Sequence, residues 1–317
     1  MSPAKSIGDR LAAIVGAARV EPDAPLASLT TFKVGGAADW LVTAATADEI
    51  RRVVCAAADA GIAVSVLGGG SNVLVADAGV RGIVLRIHGG SVREVDNRHV
   101  RADAGVTING LVRWTIGRGL AGLEAWAGTP GTVGGAVRGN AHFRGRLIGE
   151  LIERVELIAP SGLLATLSGT GMEFGYDDSR VQRTGEVVVS ADFQVVHGEA
   201  SALRAIARES LAYRKRTQPL ETPSAGCIFQ NPDPRRDPIP EGVPASAGAL
   251  VDRAGMKGAR EGGAVVSPTH ANFIVNSGGA TAADIRRLIE RCREAVREQF
   301  GVALRDEVGY FGAWESA

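Results

Sequence analysis

Two glycine-rich segments, a cysteine, a glutamate and a basic run hold the residue types best suited to chemistry in this chain. Between Leu67 and Leu74, three consecutive glycines, Gly68, Gly69 and Gly70, separate two apolar runs. Successive glycine amides form a nest for phosphate oxygens, and Ser71 and Asn72 add side-chain donors. The plainer reading is a tight turn that needs positive φ. No Gly-Lys-Ser/Thr follows, as a nucleoside-triphosphate loop requires, and a strand follows where a dinucleotide fingerprint needs a helix. A second segment contains Gly128, Thr129, Pro130, Gly131, Thr132, Gly134, Gly135 and Ala136. Backbone of this composition approaches something flat or anionic closely, or serves as a structural crossover. Two such segments in one half of the chain favour a large phosphate-bearing cofactor.

Cys227 stands between Gly226 and the apolar pair Ile228 and Phe229. It is either a small buried hydrophobe or a thiol able to donate a proton or attack as a nucleophile. Glu307, beside Val308, is either a surface charge on a strand or a working carboxylate. Arg214, Lys215 and Arg216 end a helix-like stretch after Tyr213. Such a run usually complements the helix dipole in solvent; its alternative use is to clamp a diphosphate. The histidines His88, His99, His142, His197 and His270 show no metal-ligand spacing, so no metal is expected. The segment from His270 to Asn276 reads as a capped strand or a ligand seat.

Thirty-five basic and thirty-five acidic residues cancel, which argues against a nucleic-acid groove or an anionic membrane partner. Three scattered cysteines make no disulfide framework and fit a reducing cytoplasm. Leu11 to Val15 is apolar, but Asp9 and Arg10 interrupt it, so a signal-peptide layout is not expected. No run reaches the ~18–20 apolar residues that span a bilayer.

The elements that must position these residues read as mixed α and β. A helix is predicted over 47–60, started by Asp48 and Glu49 and ended by Gly61. Strands are predicted at 63–67, 73–75 and 82–87, a hairpin over 92–104 and a helix over 108–117. Residues 125–141 read as loop with little room for regular structure. A hairpin around Pro160, a strand at 187–196 and a helix at 200–213 follow. Residues 217–245 hold more than half of the thirteen prolines and read as loop. Leu250 to Ala254 reads as helix, 262–266 and 272–275 as strands. From Ala282 to Phe300 the apolar residues Ile285, Leu288, Ile289, Val296 and Phe300 share one helical face.

The order of these motifs resembles one family. Thr30 to Gly36, Gly68 to Asn72, Gly128 to Ala136, Ser224 to Pro232, His270 to Asn276 and Glu307 follow the pattern of the UDP-N-acetylenolpyruvoylglucosamine reductases over nearly the full length. The resemblance implies an α+β fold with a two-part FAD-binding region of the vanillyl-alcohol-oxidase type and a C-terminal substrate domain. Residues 1–88 and 89–199 would be the FAD subdomains, with 300–317 returning to the second, and 200–299 the substrate domain. It implies FAD as cofactor, NADPH as co-substrate and a nucleotide sugar as substrate, reduced in peptidoglycan precursor synthesis by a cytoplasmic monomer. The glycine segments would contact the flavin. The chain lacks one branch's tyrosine-bearing insertion and is similar to the shorter branch.

Residue roles carry over with departures. Cys227 occupies the place of a proton-donating serine, and Glu307 matches the family glutamate. The family arginine that follows Tyr176 is replaced by Asp177, so Arg180 is expected to swing into its role. Tyr176, Tyr213, Arg214, Lys215, Gln218, Asn231, His270 and Asn272 would contact the substrate. Gln230 stands where the family often has lysine. The alternative is a non-catalytic or altered-substrate flavoprotein of the same fold.

Overall fold

The computed structural model describes residues 3–314, which divide into two compact units. The first comprises 1–24, 38–69 and 81–212. Its four-stranded sheet runs in the order Val20–Pro25, Ala37–Ala44, Val80–Ile87, Val64–Leu67, the last pair parallel. Its five-stranded sheet runs Leu164–Ser168, Ile152–Ile158, Val187–Gln194, His99–Asp103, Val92–Glu94, antiparallel throughout. One core serves this unit. Into it the helices Ala47–Asp59 and Ile108–Gly117 bury one apolar face each, together with Trp126 and Phe193.

Local chemistry explains several boundaries. Thr46 and Glu49 form a reciprocal capping box that starts the helix Ala47–Asp59. Leu11 and Val15, apolar at the N-terminal end of the sequence, lie on the helix Pro3–Val15 and are buried in the first core. The segment 125–141 departs from the loop expectation, because Val133–Arg138 is helical. Thr132 caps that helix by accepting from the Gly135 N–H, and at Gly134 an added Cβ would sit 3.0 Å from the Ala104 Cβ. Glycine, a poor helix former by propensity, is favoured at 134 by this close packing. The helix Ala200–Thr217 carries the basic run Arg214, Lys215 and Arg216 in its last turn. No helix among the described residues is long and apolar enough to cross a membrane.

The second unit comprises 25–37, 70–80 and 213–317. A three-stranded antiparallel sheet, Arg260–Glu261, Ala264–Val266 and Ile274–Asn276, packs with the helices Ala247–Arg253 and Ala282–Phe300. The two early segments join it for identifiable reasons. Phe32, Val34 and Leu74 are buried in its core. The Asp77 carboxylate accepts from the Ala282 and Ala283 N–H groups at 2.9 Å, at the start of the long helix. This favours the dipole as well as satisfying two otherwise open donors.

The sequence reading returns 300–317 to 89–199; the structure differs. Val302, Leu304 and Val308 are buried in the second unit's core, and Gly309–Phe311 pairs in parallel with Val73–Val75. Apolar positions 302, 304 and 308 find their partners on the long helix and its sheet, so the chain end stays with them.

Candidate active site

In the first unit the two glycine segments meet. A Cβ on Gly69 would lie 2.6 Å from the Gly131 Cα, and one on Gly68 would lie 2.6 Å from Thr132 Oγ1. Bare backbone is therefore required for the two loops to close on each other. Gly131 holds φ +100 and Gly128 φ +82. Asn109 fixes the second loop from below: its Oδ1 accepts from the Gly128 N–H at 2.7 Å and its Nδ2 donates to the Thr129 carbonyl. Two converging, side-chain-free loops in a large α+β unit fit the diphosphate end of a flavin dinucleotide.

The same unit holds a second constellation. Gly175 to Asp178 forms a tight turn with hydrogen bonds between its ends, and Asp177 sits in it at φ +53. Residues 142–147 form a hairpin, His142–Phe143 against Arg146–Leu147, closed by Arg144 and Gly145 at φ +50 and +80. Positive φ at both central positions is the two-residue turn that matches strand twist. Asn140 ties hairpin and turn together. It is wholly buried, donates to the Gly175 carbonyl at 2.6 Å and accepts from the Gly149 N–H at 2.8 Å. Ser179 and Gln182 donate to the Arg138 carbonyl, and Gln182 also donates to that of Asp177. The outcome places His142 Nε2 3.6 Å from Asp177 Oδ1, with the Tyr176 ring edge-on to the imidazole at 4.7 Å.

Asp177 is nine-tenths buried, and its Oδ2 has no hydrogen-bond partner among the described residues. Burial pushes its carboxyl up to about 7. Between pH ~4 and ~7 the folded chain thus holds a proton that the unfolded chain has released, and stability falls as pH rises through this window. Asp177→Asn should accordingly be more stable than the parent above pH 7, by up to ~4 kcal/mol, the gap closing toward pH 4. Thermal unfolding across pH 4–8 tests it, and a pH-independent gap would refute it. Asn140→Ala should cost about 1–3 kcal/mol, since it leaves the part-buried Gly149 N–H without its acceptor and removes one donor from the Gly175 carbonyl; a loss under about 0.5 kcal/mol would contradict its bracing role.

Arg180 does not take the place expected of it. Its guanidinium forks onto Glu186 at 2.8 and 3.2 Å, and its residue opens the short helix Val181–Thr184. A carboxylate six positions along holds the cation more cheaply than a backbone rearrangement toward Asp177 would. Arg183 is likewise engaged by Asp178 and Glu173.

The second unit assembles the other motifs. The Ile228 carbonyl accepts from the Glu307 N–H at 2.8 Å, and Phe229 bridges Asp306 in antiparallel register. Cys227 and Glu307, eighty residues apart in sequence, thus lie on two extended segments joined by a single bridge, both half-buried. Asn272 clamps the cysteine strand: its Oδ1 accepts from Phe229 N–H and its Nδ2 donates to the Phe229 carbonyl. It is 3% exposed, so its amide holds the strand. Asn72, a candidate flavin donor, gives its Nδ2 to the Glu307 carbonyl at 3.0 Å. Asn231 accepts from the Ala247 N–H at a helix start. His270 Nδ1 accepts from the Asn272 N–H, and burial lowers the imidazole pKa, with the Lys257 charge adding to the shift.

The basic run separates by burial. Lys215 and Arg216 are exposed, whereas Arg214 is only 6% exposed. Burial lowers the Arg214 guanidinium to about 10, opposed by the charge interaction with Cys227. A buried cation beside a thiol is the electrostatic feature of this half-site. Tyr213 packs its ring under Arg216 at 5.9 Å, and the Gln218 N–H donates to the Arg214 carbonyl. Sequence reasoning missed His142 and Asn140; neither sits in a chemically distinctive local pattern, and their roles appear only through contacts with the 175–178 turn.

Comparison with known proteins bears on both units. The family profile for an FAD binding domain matches residues 38–168, and that for the C-terminal domain of UDP-N-acetylenolpyruvoylglucosamine reductase matches 218–311. The solved p-cresol methylhydroxylase shares the fold at TM-score 0.54 and 10% identity, covering 94% of this chain and 88% of that one. The chain is an FAD-binding oxidoreductase of α+β fold. A reductase of Heliobacterium modesticaldum is 40% identical over 289 residues, 91% of this chain and 89% of its own. One from Symbiobacterium thermophilum is 37% identical over 98% of both chains. The solved UDP-N-acetylenolpyruvylglucosamine reductase of Thermus caldophilus aligns at TM-score 0.77 with 34% identity, over 92% of this chain and 99% of that one. The chain belongs to the UDP-N-acetylenolpyruvoylglucosamine reductase family.

Proposed function

We propose that the chain reduces UDP-N-acetylglucosamine enolpyruvate to UDP-N-acetylmuramate, with FAD as cofactor and NADPH as hydride source, in cytoplasmic peptidoglycan precursor synthesis. The observation that carries this reading is the pairing of Cys227 with Glu307 across the Ile228 carbonyl, beside buried Arg214, inside the region matched to the family's C-terminal domain. In the first unit, Gly68, Gly69, Gly131 and Thr132 would hold the flavin. When bound there, FAD would supply the hydride chemistry that links NADPH to the enolpyruvyl group.

The protein's own residues do the rest. Hydride addition to an electron-rich enol ether leaves negative charge on the carbon next to the carboxylate. Arg214 is assigned to stabilise that charge, with Glu307 in the polar set around the reacting carbons. The Cys227 thiol then protonates the carbon, and the resulting thiolate is held by the Arg214 cation. Balanced net charge supports a small-molecule partner rather than nucleic acid, and we read the protein as a monomer. Tyr176, Tyr213, Lys215, Gln218, Asn231 and His270 are assigned to the nucleotide sugar.

The experiment is anaerobic and stepwise. NADPH is added to the purified flavoprotein and bleaching is followed, then the enolpyruvyl ether is added. Re-oxidation of the flavin by that compound is the expected result. Flavin that stays reduced would sink the reading. The presence of Asp177 where the family has a cation favours a second reading, a flavoprotein of altered substrate. It predicts re-oxidation by some other acceptor only.

A further inference from the structure

The reaction proposed above builds negative charge on the substrate's carboxylate side, yet the family's arginine position here holds Asp177. A lone carboxylate would oppose that charge. Three arginines of the same unit are engaged by carboxylates, Arg180 by Glu186, Arg183 by Asp178 and Glu173, and Arg144 by Glu209 at 3.0 Å, while burial lowers the pKa of the Arg138 guanidinium, which joins none of these pairs. The Arg138 carbonyl braces the turn through Ser179 and Gln182. Within the first unit the imidazole of His142 faces Asp177, 3.6 Å away and carried on a hairpin that Asn140 locks to the Asp177 turn.

We propose that His142, seated on Asp177, is a further catalytic residue of this chain, its imidazolium supplying the charge and hydrogen bond that the family draws from an arginine. Three observations converge on it. The pair is built rather than incidental, since its members sit on a tight turn and a two-residue hairpin joined by one fully buried asparagine. Asp177 Oδ2 is buried without a partner, a costly arrangement that persists where it serves function. The exchange is also reciprocal: an aspartate next to an imidazole fixes its ring and, when ionised, favours its cationic form, so a donor is presented by His142 in place of residue 177. Burial of Asp177 favours its own protonation, and with both groups protonated the pair carries one positive charge. With one proton it is neutral.

This inference rests on the assigned reaction, and its test separates the two. In stopped flow, His142→Gln in the holoprotein should leave flavin reduction by NADPH within about threefold of the parent. Re-oxidation by the enolpyruvyl ether should fall at least 100-fold, in the range for removing one preorganised electrostatic donor, ~10²–10³. Adding Asp177→Arg to His142→Gln should recover at least tenfold. Equal rates of re-oxidation in parent and His142→Gln overturn the proposal, as does an equal loss in both half-reactions, which marks a structural role. A parent protein that is reduced by NADPH but never re-oxidised by the ether overturns the assigned reaction instead. In that case NMR titration of the flavin-bound protein still decides the pairing. The His142 titration should shift to lower pH in Asp177→Asn, and an unchanged titration overturns the pair.

Discussion

Replacing Cys227 by alanine should lower flavin re-oxidation by the enolpyruvyl ether about 10²–10⁴-fold, the usual yield of a positioned proton donor. Reduction of the flavin by NADPH should be untouched. Cys227→Ser should stay within about tenfold of the parent, because the contact that aims the side chain is backbone to backbone, from Glu307 N–H to the Ile228 carbonyl. The two donors differ in acidity rather than reach: a thiol ionises near ~8.5, far more readily than an alcohol. Cys227 is half-buried, so the parent should lose activity to iodoacetamide and Cys227→Ser should not. Cys292 does not blur this experiment, since burial pushes its thiol up to about 12. An alanine variant that re-oxidises at the parent rate would remove Cys227 from the mechanism.

The second large effect separates stability from activity at Arg214. Its guanidinium is 6% exposed and lowered to about 10 by burial. Folding therefore costs free energy at neutral pH, because the charged form is better solvated in the unfolded chain; the sign is that of a base whose folded pKa lies below its unfolded one. Arg214→Met keeps the stem and removes the charge. It should raise the midpoint of thermal unfolding by a few degrees, on the order of 1 kcal/mol. Re-oxidation by the ether should drop about 10²–10³-fold, as expected when a preorganised cation is lost. A strained charge kept for function gives this opposition of stability and rate. A variant that is less stable and fully active would show that Arg214 is a structural cation.

Both effects depend on contacts that span long stretches of chain, and this decides what was legible beforehand. Helix Ala282–Phe300 could be read from the period of its apolar residues, and Ala47–Asp59 from its acidic start and terminal glycine. Those signals are local, because capping and amphipathic spacing act within a turn or two. The glycine segments were legible as chemistry for the same reason. That Gly69 needs the space beside Gly131 was not, since the partner is another loop.

By itself, then, the sequence determined the elements, the two glycine loops and the candidates Cys227 and Glu307, each specified by neighbours along the chain. Only the tertiary structure decided which charges remain for chemistry. It gave Arg180 to Glu186, buried Arg214 while leaving Lys215 and Arg216 in solvent, and turned Asn72 and Asn272 into clamps on the Glu307 and Cys227 strands. It also joined His142 to Asp177 through an asparagine that reaches 35 positions along the chain. Side-chain partnership and burial are properties of packing. A residue's type fixes what it can donate or accept, and the fold fixes which groups it meets and how much water it keeps.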